Sequence, residues 1–337
     1  MSRVCRNRLD AGWSAIGEAR FEEGCYLWLM KAAVTGVFSY SGRFIAEALL
    51  ARGWEIVALG RSRPAAADSL AERVDFCPLL LDDEEALAAA LSGCDALFNT
   101  YWVRFERGGA TFSQAVERSD RLFRTARAAQ VRRIVHLSVS NASAESPFPY
   151  FRGKAAVEDA LRGGDCPYAI LRPTLIFGGR QEVLVNNIAW LLRRLPLFLL
   201  PEGGRCRLQP VSVFDLARIA ADLGETDANQ VLDLAGPETF TFADFVAQIR
   251  DAVGSHARLA AAPSGVVSGC SLLAGLLLRD RLLTRDELGA LTADLLACET
   301  ATTESRFSDW LKTNASWLGR IYANELRRNW QPSVPHP

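Results

Sequence analysis

The sequence predicts an α/β protein, a doubly wound parallel sheet carrying a smaller, mainly helical C-terminal lobe. Three observations lead there. From Met30 to about Gly178, short apolar runs alternate with longer stretches of helical periodicity, the order that βαβ units impose on a chain. A glycine-containing turn, Thr35-Gly36-Val37-Phe38-Ser39-Tyr40-Ser41-Gly42, joins the first apolar run to the first helical stretch. After Gly178 the alternation breaks and mostly helical sequence follows, placed to cover the strand C-termini where ligands bind in such folds.

The elements follow in order. Lys31-Thr35 reads as the first strand, and RFIAEALLARG as the helix after it. Glu55-Leu59 is the second strand. Phe76-Leu81 is the third, ending in Asp82-Asp83, which can cap the helix EEALAAAL or contact an adenine. Ala96-Thr100, Arg133-Ser138 and Tyr168-Leu171 are the fourth to sixth, with a long helix through SQAVERSDRLFRTARAAQ between the first two of these. Beyond Gly178, Asn186-Leu200 is apolar and helical, while Gln209-Val213 and residues 231–236 return to strand character. We therefore expect a nucleotide-type domain over 30–236, with 181–208 contributing to a second lobe. Residues 237–330 form the rest of that lobe and 331–337 a tail.

Composition limits the function. Across 337 residues, 38 Lys plus Arg face 39 Asp plus Glu, a net charge of -1, which argues against a nucleic-acid-binding surface. A chain 49% hydrophobic and 23% charged is an ordinary globular one. The 8 cysteines include no C-x-x-C pair, and only 3 histidines occur, so neither a metal site nor a disulfide framework is expected. Reduced, mostly buried thiols in a cytoplasmic protein are the reading, as monomer or homodimer. Residues 1–29 carry scattered charges and no uninterrupted apolar core, so they read as an extension outside the fold and not as a signal peptide. The most lipid-like stretch, Gly265 to Leu278, is too short to span a bilayer; a buried helix is expected, with a surface-lying helix making peripheral membrane contact as the alternative.

Two constellations carry chemistry. Glycines after a first strand let the backbone approach a pyrophosphate, whose charge is stabilised by free N–H groups at the helix N-terminus. Gly36, Phe38, Ser39, Tyr40, Ser41 and Gly42 are the candidates, with Ser39 standing where a third glycine completes the fingerprint. The second strand ends in Gly60-Arg61-Ser62-Arg63, where an NAD enzyme places an acidic residue. An arginine fork suits a 2′-phosphate instead, so NADP(H) is expected over NAD(H), with Arg61 the main contact and Arg63 in reserve. Further along, Tyr150 and Lys154 share a helical face at i,i+4. A nearby ammonium favours the phenolate and suits Tyr150 to proton transfer with a substrate hydroxyl. They follow a strand ending Ser138-Val139-Ser140, whose hydroxyls can polarise a carbonyl.

The order TGxxxxxG, Arg61, LSVS, YFRGK, LRPTLIFGG (171–179) and QPVSVFDLA (209–217) resembles the extended and atypical short-chain dehydrogenase/reductases. Within them it is similar to the NAD(P)-dependent epimerase/dehydratase group, especially the branch that includes the accessory subunit of respiratory complex I. The resemblance covers about Met30 to Ala235. It implies a Rossmann fold, a nicotinamide cofactor, and Tyr150 and Lys154 as a catalytic pair with Ser140 as the carbonyl polariser and Ser138 as fallback. It places Asn99, Thr100, Tyr101 and a turn at Arg172-Pro173-Thr174 near the cofactor. Three departures stand out: Ser39 replaces the middle glycine, the fourth strand ends Asn99-Thr100-Tyr101-Trp102, and Tyr150 follows Ser140 by an interval of only ten positions. An oxidoreductase or epimerase acting on a hydroxyl or carbonyl of a small metabolite is the first expectation. A non-catalytic NADP(H)-binding redox sensor or assembly factor is the second, since relatives in this branch bind nucleotide without turnover.

Among the remaining candidates, His136 reads as a core histidine and Cys77 and Cys94 as buried thiols. Tyr101, Trp102 and Phe105 either wall the nicotinamide or wedge the second lobe against the sheet.

Overall fold

In the computed structural model, residues 29–61 and 68–329 are described; the sequence expectations for residues 1–28, Arg63, Trp330 and the 331–337 tail lie outside the described residues. The chain runs β1 (Lys31–Thr35), α1 (Tyr40–Leu50), β2 (Glu55–Gly60), β3 (Asp75–Pro78), α2 (Glu84–Leu91), β4 (Ala96–Asn99), α3 (Phe112–Ala128), β5 (Arg133–Leu137), α4 (Pro149–Arg162) and β6 (Tyr168–Pro173). There follow β7 (Leu175–Phe177), α5 (Leu184–Arg194), β8 (Leu197–Pro201), β9 (Arg207–Leu208), β10 (Pro210–Ser212), α6 (Val213–Gly224) and β11 (Gln230–Leu234). The last elements are β12 (Phe240–Thr241), α7 (Phe242–Ala252), β13 (Arg258–Ala262), α8 (Ser264–Leu278), α9 (Arg285–Thr292), α10 (Phe307–Asn314) and α11 (Glu325–Asn329).

Seven strands form one parallel sheet in the order β11-β6-β5-β4-β1-β2-β3. The order reverses direction between β1 and β4, which opens a crevice at the strand C-termini. Period-two alternation sends Ala32, Val34, Ile56, Ala58 and Phe98 to one hydrophobic layer. Ala33, Val57, Leu59 and Leu97 point to the other. Both faces are thus covered, which is why these strands read as continuous apolar runs and not as alternating ones. Polar caps set the helix starts: Asp83 accepts from the Ala86 N–H at 3.0 Å, and Thr111 and Gln114 form a capping box. Asp82, the other residue weighed for adenine, instead pairs with Arg118 and Arg121, whose guanidinium groups hold its carboxyl below the usual range.

A third core gathers Phe177, Val185 and Leu192 with Phe245, Ile249, Phe307 and Leu311, residues from before and after β11. Small sheets line it: β8 pairs in parallel with β13, and β9 antiparallel with β12. Those strands temper the expectation of a helical lobe, because each is a two-to-five-residue edge too short to show a period. Three other expectations are corrected. Arg172 and Pro173 complete strand β6, leaving Thr174 alone to bend the chain into β7. Helix α8 is not buried: only Val267 and Gly275 are, and Cys270 on it is exposed. Among the described cysteines, Cys94, Cys166 and Cys206 are buried while Cys77 and Cys298 are half-buried.

Candidate nucleotide and active site

The turn from β1 to α1 is held by two glycines. Gly36 has a left-handed φ of +68°, and a Cβ there would lie 2.9 Å from Thr100 Oγ1. Gly42 rests on the turn itself, where a Cβ would come 2.2 Å from the Gly36 carbonyl oxygen. Ser39, at the N-cap of α1, makes no side-chain cap. Its hydroxyl donates back to the Gly36 carbonyl at 2.6 Å, so replacing the middle glycine tightens the turn internally. The first N–H groups of α1, from Tyr40 to Gly42, have no intrahelical partner. Uncapped, they point the positive helix end at the sheet crevice, and this donor set fits a pyrophosphate.

The other loop candidates divide. Phe38 packs on Phe76 of β3, with ring centres 6.4 Å apart, and so supports the loop through packing. Tyr40 spends its hydroxyl on the Gly178 carbonyl at 2.8 Å, tying the loop to the strand after β6; burial, and then Glu182, hold its phenol protonated. Ser41 sits half-buried in the first turn of α1, and Arg61 is exposed directly after β2.

The C-terminal end of β4 is knitted to its neighbours. Asn99 is fully buried; its Oδ1 accepts from Thr35 Oγ1 at 3.2 Å and from the Tyr101 N–H at 3.1 Å. Its amide nitrogen donates to His136 Nδ1 at 3.1 Å, which puts the imidazole proton on Nε2. The Thr100 N–H donates to Thr35 Oγ1 at 2.7 Å. His136 is a core residue, as expected: burial, and then the charge of Lys154, hold it neutral.

Helix α4 presents Tyr150, Lys154 and Glu158 at four-residue spacing, one stripe facing the end of β5. Lys154 is 3% exposed. Its ammonium donates to the Leu137 carbonyl at 2.8 Å and lies 4.8 Å from the centre of the Trp102 ring. Burial pushes its pKa down to about 7, against the pull of Glu158. Tyr150 is half-buried among Trp102, Phe112 and Phe151, with ring centres 5.9, 5.9 and 5.4 Å away. Burial, reinforced by Glu287, pushes its phenol up to about 12, with Arg104 opposing. This reverses the expected lowering by Lys154, whose own charge is desolvated and held elsewhere.

Neither serine offers a free hydroxyl hydrogen. Ser138 donates to Glu158 at 2.5 Å. Glu158 is itself fully buried and also receives Arg172 at 2.9 Å and Arg162 at 2.8 Å. Ser140 donates to the carbonyl of Leu295, 2.9 Å away in the segment after α9, and its N–H donates to the Pro173 carbonyl at 2.9 Å. Asn141 donates to the same Leu295 oxygen at 2.9 Å. Arg104, from the loop after β4, pairs with Glu287 and Glu325 of α9 and α11. Of the aromatic residues, Trp102 stacks on Phe112 beside Lys154, while Phe105, 4% exposed, packs under Arg281 of the segment after α8.

Glu158, the hub of this network, was missed in the sequence, although it continues the Tyr150–Lys154 stripe by one more turn. Leu295 acts through its backbone and leaves no sequence signal. Among the described residues no group of three or more His, Cys, Asp or Glu is placed to hold a metal.

Residues 39–184 match the NAD(P)H-binding family model. The chain is 23% identical over 288 residues to the mitochondrial NADH dehydrogenase (ubiquinone) 1 alpha subcomplex subunit 9 of Arabidopsis thaliana, covering 80% of this chain and 71% of that one. Among solved structures it resembles the triphenylmethane reductase of Citrobacter sp. complexed with NADP(H), with a TM-score of 0.68 at 18% identity, covering 85% of this chain and 100% of that one. It also resembles the NADPH-dependent quinone oxidoreductase of Escherichia coli complexed with NADPH, with a TM-score of 0.66 at 22% identity, covering 85% and 99%. Sheet order and glycine turn define a Rossmann-type NAD(P)-binding protein. In this segment and in its fold the chain is similar to extended short-chain dehydrogenase/reductase-like proteins.

Proposed function

We propose that this chain binds NADP(H) at the β1–α1 turn and holds it as a regulatory or structural ligand, with the reaction end closed by its own C-terminal lobe. The observation that carries this reading is the hydrogen bond from Ser140 to Leu295, which uses the donor a substrate carbonyl would need. The raised phenol of Tyr150 weighs against a general base for hydroxyl oxidation, because burial makes the phenolate harder to form. Bound nicotinamide nucleotide supplies hydride chemistry; the residues here hold the phosphates at α1 and exclude water around Lys154. Arg61 after β2 and the NADP(H) and NADPH complexes of the structural neighbours support the phosphorylated cofactor. The Arabidopsis relative is a subunit of a subcomplex of the mitochondrial NADH dehydrogenase (ubiquinone), and a protein partner for this chain belongs to the same reading.

The second reading is an oxidoreductase or epimerase for a small hydroxyl or carbonyl compound. It is favoured by Tyr150 and Lys154 standing on one helical face beside the β5 terminus. Purified full-length chain is assayed for co-purifying nucleotide and for turnover over a carbonyl panel, with Tyr150→Phe alongside. Tightly bound NADP(H) without Tyr150-dependent turnover is expected. Turnover that Tyr150→Phe abolishes would overturn the first reading in favour of the second.

A further inference from the structure

Helix α8 wears its apolar side outward. Successive residues turn by about 100°, which gathers Val266, Gly269, Leu272, Leu273, Leu276 and Leu277 on one face, and all six are exposed. Leu272, Leu273, Leu276 and Leu277 are 67%, 63%, 68% and 85% exposed. Ser268 and Ser271 lie half-buried on the opposite side. This inverts the usual amphipathic arrangement, in which the polar stripe meets water. Ile321 is also exposed, and Asn324, three residues on, donates to the Leu278 carbonyl at the end of α8 at 3.0 Å. Scattered exposed leucines mean little, but a contiguous apolar face marks an interaction surface.

Beside the leucines opens a cleft of about 530 Å³ lined by Arg107, Leu278, Arg279, Asn324, Leu326 and Arg327. Three guanidinium groups line it and no carboxylate does. Among the described residues, none of the three forms an ion pair. Cationic forks bordering an uncharged leucine face complement one occupant on both counts, a phosphate headgroup above acyl chains. The 15 residues of α8 measure about 22 Å at 1.5 Å each, short of a bilayer core of about 30 Å. No helix among the described residues is long and apolar enough to cross a membrane. We propose that α8 lies in the surface of an anionic phospholipid bilayer, its leucines entering the acyl boundary while Arg107, Arg279 and Arg327 hold headgroup phosphates.

The test is sedimentation of the full chain with vesicles of phosphatidylcholine alone and of phosphatidylcholine and phosphatidylglycerol in equal parts. Co-sedimentation with the mixed vesicles, weakened by salt, is expected. The double change Leu273→Glu, Leu277→Glu should abolish it; both side chains are exposed, so circular dichroism stays unchanged. Arg279→Gln with Arg327→Gln should lower partitioning about fivefold for each charge removed. The proposal fails if the chain stays in the supernatant with both vesicle types, or if the leucine variant still sediments. It also fails if the leucine change dissolves a dimer in a chain that ignores vesicles, which would make a second copy the occupant.

Discussion

The hydroxyl of Ser140, at the end of the strand expected to polarise a substrate, donates to the backbone carbonyl of Leu295, 155 residues further along the chain. Leu295 follows α9, whose Glu287 pairs with Arg104 from the loop after β4. The lobe that would choose a substrate is thus bolted to the residues that would act on it. Ser140 is fully buried and satisfied, which makes the closure specific as well as favourable.

Ser140→Ala tests that closure. Asn141 still donates to the Leu295 oxygen, so no acceptor is stranded and the loss should be about 0.5–1.5 kcal/mol, the net worth of one hydrogen bond. Denaturant unfolding measures it. Nucleotide affinity, read by titration, should stay within about twofold, whereas a catalytic Ser140 would show itself as lost turnover with stability unchanged.

Gly42→Ala should do the reverse. Its new methyl would meet the Gly36 carbonyl oxygen at 2.2 Å, so helix α1 has to shift away from the turn. The uncapped N–H groups then lose their aim at the pyrophosphate. We expect nucleotide affinity to fall at least tenfold, about 1.4 kcal/mol, and the melting temperature to drop with it. A Gly42→Ala variant that binds nucleotide normally would remove the turn from the site.

The fold was legible because both faces of the sheet are covered, so each strand announced itself as an apolar run between polar punctuation. β1 begins and ends where the sequence places it. Local chemistry was legible for the same reason: Asp83 caps a helix and Gly36 turns a strand using neighbours close in sequence. What stayed hidden depends on distant partners. Nothing near Ser140 announces Leu295, and nothing near Tyr150 announces Glu287, because those contacts are made by loops whose path is set by tertiary packing. Helix α8 follows the surface-lying alternative and not the buried one for a related reason: apolar composition alone does not say what covers it.

On the proposed reading, cofactor choice rests on Arg61. An arginine after β2 offers charge-assisted hydrogen bonds to a 2′-phosphate and little to a 2′-hydroxyl. Arg61→Ala should weaken NADP(H) binding about tenfold or more, since a bond to a charged group is worth about 1.5–3 kcal/mol, and leave NAD(H) nearly unchanged. Calorimetric titration of both nucleotides decides it, and equal losses would refute the assignment.

Lys154 sets a pH dependence whose sign is fixed. Burial lowers its folded-state pKa to about 7, from an ordinary value of 10.5 in the unfolded chain. Around it stand the Trp102 ring, the Leu137 carbonyl, Glu158 and neutral His136. Between those two values the unfolded chain takes up a proton that the folded one refuses, so unfolding is favoured as pH falls. The stabilising contribution is therefore full above the unfolded value and is lost as pH falls through about 7. Lys154→Met, which keeps the length of the side chain without the charge, should flatten stability between about pH 10 and about pH 7, measured by denaturant midpoints on both proteins. Parallel pH profiles for the two proteins would mean that Lys154 stays charged in the fold, and that the Trp102 face and the Leu137 carbonyl suffice to hold an ammonium out of water.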